Sequence, residues 1–213
     1  MSEHERLWTA HHEAAHAVAT LRLRGEEHLG YATIVPRNDA LGSVSTEDAL
    51  DYSGTVDPQT GCLVPDQNEV DAQIIGKLAG HYGAMRAGEP LDQARECSRS
   101  DFEQAEYCLG FTKSSLADLM VAADRFVKKE WRAIQQVATE LLARNTLDDI
   151  EISFAVDVAD GRAGANTNLQ EYRRRRDWPG PWTTVALCQS SQLQMGSEQS
   201  ARTAPAMRKR GTR

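Results

Sequence analysis

The stretch His11-His12-Glu13-Ala14-Ala15-His16-Ala17-Val18 places an H-E-x-x-H spacing inside a run of helical periodicity. Two histidines four residues apart lie on one helical face, one turn above the other, so both imidazoles can reach a single metal ion. Glu13, one residue along, then stands beside the remaining coordination position. Zinc hydrolysis needs this set: neutral imidazoles bind the ion, the ion acidifies a water, and a carboxylate takes the proton. A catalytic zinc site takes three protein ligands and leaves one position open, so a further ligand must come from elsewhere in the chain. The competing interpretation is a surface helix with scattered histidines.

Outward from the motif, Ser2 and Glu5 form a capping box, and Leu7, Ala10, Ala14, Ala17, Val18 and Leu21 recur at helical spacing until Gly25 ends the run. His12 and His16 are therefore expected in mid-helix. Residues 31–35 and 42–46 alternate as two short strands around a turn at 36–41, a small hairpin or sheet edge beside the helix. Such an edge can pair with an extended substrate backbone or serve as an ordinary structural hairpin. Residues 51–67 are rich in Asp, Gly, Pro and Thr and read as a loop.

Asp66 and Glu69 then open a core helix through Val70, Ile74, Leu78, Tyr82 and Met85 that stops at Gly88-Glu89-Pro90. Its His81 stands alone and reads as a surface or packing residue. Ser98-Arg99-Ser100-Asp101 is another start signal, with Ser100 and Glu103 as cap and partner. Asp101 falls in the first helical turn, where it suits either the helix dipole or a metal. One long amphipathic helix is expected over 115–144, and Thr146 with Asp149 opens a last short helix to about Ala159. The expected organisation is one domain over 1–160 and a basic, largely disordered tail over 161–213.

Composition narrows the function classes. The net charge of −7 is uneven: residues 161–213 carry 10 Lys and Arg against 3 Asp and Glu, leaving 14 against 28 in residues 1–160. An acidic body argues against broad nucleic-acid binding, and Arg173 to Arg176, without interleaved aromatics, read as a solvated stretch. Apolar runs are far shorter than the ~20 residues needed to span a bilayer, and the polar start is unlike a signal peptide, so a cytoplasmic protein without a membrane partner is expected. Cys62, Cys97, Cys108 and Cys188 form no C-x-x-C pair and read as reduced thiols.

The order of these pieces resembles the peptidase domain of FtsH-type AAA metalloproteases. The family's H-E-A-G-H-A matches His12-Glu13-Ala14-Ala15-His16-Ala17, with Ala for Gly. Its I-x-P-R-x-x-A-L-G matches Ile34 to Gly42, its L-A-G matches Leu78-Ala79-Gly80, and the matching place of its later helix opening S-x-D is Ser98-Arg99-Ser100-Asp101. Its closing L-L-x-x-x-T-L-D-x-x-E-I matches Leu141 to Ile152.

The resemblance, over about residues 7–155, implies a mainly α zinc peptidase fold with a small β hairpin or sheet edge. It further implies Zn²⁺ held by His12, His16 and Asp101, with Glu13 as general base; Asp92, Glu96 and Glu103 are the next carboxylates should Asp101 not serve. The implied activity is endopeptidase cleavage of unfolded or flexible polypeptides. A partner ATPase and homo-oligomerisation are the further partners the resemblance brings with it.

Three departures stand out. Gly83, Ala84 and Met85 occupy positions where the family carries acids that support the zinc site. The segment between Asp101 and the long helix is shorter than in the family. The chain contains no G-x-x-x-x-G-K-[ST] phosphate loop, so it is expected to lack a motor of its own. Two other readings compete: a catalytically idle relative acting as an interaction module, and a metallohydrolase of non-peptide substrates.

Overall fold

The computed structural model describes residues 1–37, 40–46, 55–56, 63–64 and 66–177. Compact units comprise residues 1–170 and 171–213. The architecture is mainly α with a small antiparallel sheet.

Helix α1 (Glu3–Leu23) is the hub of the first unit, packing against α2 (Gln67–Arg86), α6 (Trp131–Arg144) and strand β1 (Leu29–Thr33). It begins as its sequence dictates: Glu5 N–H donates to Ser2 Oγ at 3.2 Å and Ser2 N–H donates to Glu5 Oε2 at 2.6 Å, which satisfies two otherwise orphan amides. It ends before Gly25, whose φ of 115° suits glycine. Ala10, Ala14, Ala17 and Val18 are fully buried, as are Ala15 and Ala19 towards α2. Small residues let the two helices approach closely. A Cβ on Gly83 of α2 would lie 2.7 Å from Ala15 Cβ and from the His11 carbonyl oxygen. Because Gly76 faces Ala19 and Gly83 faces Ala15, α2 runs antiparallel to α1.

The sheet has the order β2-β1-β5, with β2 (Ser43–Thr46) and β5 (Thr146–Asp148) both antiparallel to β1. Ala32 faces Val44 on one side and Leu147 on the other. This confirms the hairpin and adds a third strand where a helix start was expected at Thr146. The cause is Asn145: it takes a left-handed conformation (φ 66°) after α6, its carbonyl accepts from Ile34 N–H at 2.8 Å, and the next three residues pair with β1. Helix α7 (Asp149–Ala159) starts only afterwards, with Asp148 and Glu151 as its capping box.

The expected single helix over 115–144 is two, α5 (Leu116–Lys129) and α6, separated at Glu130. The two serve different cores. Val70, Ile74, Leu78, Ala105, Leu119 and Ala123 form one cluster beside α2, whereas Ile134, Val137, Ala138 and Leu141 join α1, α7 and the sheet in another. Each fully buried Leu or Ile contributes roughly 1.5–3 kcal/mol relative to exposure, so neither cluster is dispensable.

Helices α3 (Leu91–Cys97) and α4 (Arg99–Cys108) meet at Ser98. The helix thus begins one residue before the expected cap Ser100, and Asp101 still falls in its first turn. Strands β3 (Thr55–Val56) and β4 (Leu63–Val64) pair within the expected loop, whose remaining residues up to Pro65 lie outside those described. Residues 165–176 of the expected tail form a helix, α8 (Ala165–Arg176), aided by an i,i+4 ion pair of Arg175 with Glu171 at 2.5 Å. The disorder expected beyond it concerns residues outside those described, as does Trp178.

Candidate metal centre

His12 and His16 leave α1 one turn apart and meet Asp101 from the first turn of α4. His12 Nε2 lies 2.9 Å from His16 Nε2, and Asp101 Oδ2 lies 3.2 Å from the first and 3.4 Å from the second. These residues form the one group of three metal-ligating side chains among the described residues. The neighbouring His11 turns away: its Nδ1 bonds the Leu7 carbonyl at 2.9 Å and its ring stacks on Trp131, over which Arg86 also sits. Asp92, Glu96 and Glu103 do not join the cluster, and Glu96 pairs with Arg99.

The residues fit a zinc ion on several counts. Tetrahedral zinc with bonds of ~2.0–2.1 Å needs ligand atoms on the order of 3.3 Å apart, close to the separations observed. His16 Nδ1–H donates to the Gly76 carbonyl at 2.8 Å, which leaves the Nε2 lone pair directed at the cluster. A Cβ on Gly80 would lie 2.3 Å from His16 Nε2 and 2.8 Å from His12 Nε2, so this helix can cradle the two rings only with glycine there. Gly83 packs against α1, and the hydrogen bond that orients the His16 ring is accepted by the Gly76 backbone carbonyl.

Electrostatics follow from the shared burial. Burial works against a charged His12, but the hydrogen bond to Asp101 and the nearby Glu13, Asp101 and Glu89 carboxylates outweigh it and raise its pKa to about 9. Burial likewise opposes the Asp101 charge, and the two histidines overcome it, holding the carboxyl well below its usual range. Without a metal, the close approach of these groups favours a protonated His12 beside an ionised Asp101. Glu13 is 6% exposed, and that burial pushes its pKa up despite the adjacent imidazoles. Its carboxylate lies against the start of β2: a Cβ on Gly42 would come within 2.6 Å of Glu13 Oε1 and 2.8 Å of the Thr33 carbonyl.

All four side chains line one cleft of about 870 Å³, whose walls include Ser43, Val44 and Thr46 of β2, the edge strand of its sheet. Glu89 also lines it, a buried carboxylate that the sequence pattern marked only as part of a helix stop. Nothing in periodicity or capping distinguishes it; its position became visible only from the packing. His81 is buried against Tyr82 and Phe102, the packing role expected, and burial lowers its pKa. Cys97 and Cys108 form no disulfide among the described residues, while Cys62 and Cys188 lie outside them. No helix among the described residues is long and apolar enough to cross a membrane.

No known family's sequence profile matches the chain. Over 44 residues it is 52% identical to an ATP-dependent zinc metalloprotease FtsH of Neorickettsia risticii (strain Illinois), a stretch covering 21% of this chain and 7% of that protein. Over 102 residues it is 45% identical to an ATP-dependent zinc metalloprotease FtsH of Magnetococcus marinus (strain ATCC BAA-1437 / JCM 17883 / MC-1), covering 46% of this chain and 14% of that protein. These matches relate part of the chain to FtsH zinc metalloproteases, and they span at most 14% of the length of those relatives.

Proposed function

We propose that this chain is a zinc-dependent endopeptidase acting on flexible or unfolded polypeptide, with His12, His16 and Asp101 as the metal ligands and Glu13 as general base. The observation that carries the reading is the convergence of two imidazole nitrogens and one carboxylate oxygen beside a buried, otherwise unneeded glutamate, in a cleft bordered by a sheet edge. Zinc bound there supplies a Lewis acid that lowers the pKa of a water towards neutrality and polarises the scissile carbonyl. Glu13 accepts the proton of the attacking water and passes it to the leaving amine, a task suited by a carboxylate whose pKa burial has raised. The backbone of β2 pairs with an extended substrate and positions the scissile bond over the cluster. An idle binding module would gain nothing from burying the Glu13 carboxylate, which costs stability.

The test is metal content together with cleavage of unfolded casein. Wild-type protein is expected to hold about one zinc per chain. Glu13→Gln is expected to keep it while losing roughly 10²–10⁴-fold in rate. A variant that cleaves as fast as wild type removes Glu13 as base, and zinc-loaded wild type inactive on every unfolded substrate removes the peptidase reading.

A further inference from the structure

The cleft follows α1 from end to end: Glu5, Trp8, His12, His16, Thr20 and Arg24 line it at successive turns. Because α2 runs antiparallel, its own ends sort with those of α1. Gln73, from the first half of α2, and Lys77, at its middle, fall towards Thr20 and Arg24, whereas Glu89, beyond its C-terminus, falls towards the first turns of α1. The metal cluster lies between the two groups.

The charges at the two ends are opposite, and among the described residues neither Glu89 nor Arg24 has an oppositely charged side chain within 4 Å. Glu89 is 8% exposed, accepts a hydrogen bond from the Cys97 thiol, and has no Lys, Arg or His nitrogen within 4 Å among the described residues. Arg24 has no carboxylate partner among the described residues: one terminal nitrogen is 3.5 Å from His28 Nδ1, and its buried Nε has no hydrogen-bond partner. Desolvated charges of this kind cost stability unless something supplies the counter-charge.

We propose that the cleft is a charge-polarised substrate groove, in which Glu89 receives a basic side chain on one side of the scissile bond and Arg24 an acidic side chain on the other. This rests on the peptidase reading and adds a substrate class to it: polypeptide with opposite charges flanking the cleavage point. Arg24 stands two helical turns beyond His16, about 12 Å along the axis, or roughly three to four residues of extended substrate.

The experiment uses the zinc-loaded full chain and unstructured peptides that vary one position at a time on a neutral background, with products identified by mass spectrometry. Lys and Arg are expected to be enriched on one side of the cut and Asp and Glu on the other; the side on which the base falls gives the chain direction. In Glu89→Gln the advantage of basic over neutral peptides, roughly 10- to 100-fold for a charge-assisted contact, should collapse, and Glu89→Lys should turn it into a preference for acids at that position. Arg24→Glu should invert the preference at the other end and provides the test should the Glu89 variants not fold. A flat charge profile alongside robust cleavage overturns the inference and leaves the peptidase reading standing. So does a Glu89→Gln variant that loses zinc or slows all peptides by one factor, since Glu89 would then support the metal site. Binding is measured in parallel on Glu13→Gln by fluorescence anisotropy, with a Lys/Glu peptide and its charge-exchanged twin, so the inference is tested even without cleavage. Equal affinity for the two overturns it.

Discussion

At the scale of single residues, the metal cluster is also a proton-binding site. His12, with its pKa raised to about 9, stabilises the metal-free fold most fully below its ordinary value near 6.5, and that contribution fades as pH rises through about 9. Asp101, held below its usual range, contributes above its ordinary value near 3.8 and loses the contribution as pH falls below it. The metal-free protein is therefore expected to be most stable between these limits. Zinc has to displace the His12 proton, so apparent zinc affinity should rise roughly tenfold per pH unit from about pH 6.5 to about 9, with about one proton released per zinc at neutral pH. Calorimetry in buffers of different ionisation enthalpy measures that release; binding without proton release contradicts a protonated His12. Gly80 yields a second expectation. In Gly80→Ala the new methyl occupies the space of His16 Nε2, and zinc affinity should fall about 10- to 100-fold, as for other disturbed ligand supports. The Tm of the metal-free variant should move little, because a helix-propensity gain of about 1 kcal/mol opposes an overpacking cost of about 1–3 kcal/mol.

At the scale of elements, the turn after α6 does most to place the sheet. Asn145 holds a left-handed conformation, receives Arg6 Nη2–H on its side chain at 2.6 Å, and presents its carbonyl to Ile34 N–H and, at 3.2 Å, to Thr33 Oγ1. A β-branched residue tolerates that backbone poorly. Asn145→Val is expected to cost about 1–2 kcal/mol from the conformation alone, with the lost Arg6 contact in addition, whereas Asn145→Gly keeps the backbone and loses only the contact. Urea unfolding of the pair separates the two effects; equal stability of Val and Gly variants would show that the left-handed residue is not what holds the sheet. The break at Glu130 has a different origin. Its carboxylate pairs with Arg22 at 3.3 Å and Lys129 at 3.1 Å, and the turn lets α5 face the α2 cluster while α6 faces α1.

At the scale of the molecule, the proposed endopeptidase activity implies that an extended chain enters the cleft directly, whereas a folded substrate reaches it only by local opening. Opening can cost up to a substrate's full stability, on the order of 5–15 kcal/mol, so a tightly folded domain should be cleaved slower than its destabilised mutant by several powers of ten. ATP should change neither rate in a preparation containing this chain alone. Equal cleavage of folded and destabilised forms, or stimulation by ATP, would contradict access through substrate disorder. A partner ATPase, if one is used, should show itself as ATP-dependent cleavage of the folded form only when added.

What the sequence determined by itself was local. The capping box of Ser2 and Glu5, the stop at Gly25, the alignment of His12, Glu13 and His16 and the placing of Asp101 in a first helical turn all depend on neighbours within four residues, and such signals survive without the rest of the fold. The alternation of residues 31–35 and 42–46 likewise announced the hairpin. Tertiary structure decided what depends on distant partners. Residues 146–148 became a strand because Thr33 and its neighbours in β1 offered hydrogen bonds, including Thr33 Oγ1 to Thr146 Oγ1 at 2.7 Å. One apolar stripe over 115–144 became two helices because two clusters required different directions, which a 3.6-residue period cannot express. The approach of Asp101 to the histidines and the arrival of Glu89 in the same cleft depend on the antiparallel packing of α2 on α1. That packing depends in turn on glycines whose role is visible only when the opposite helix is in place.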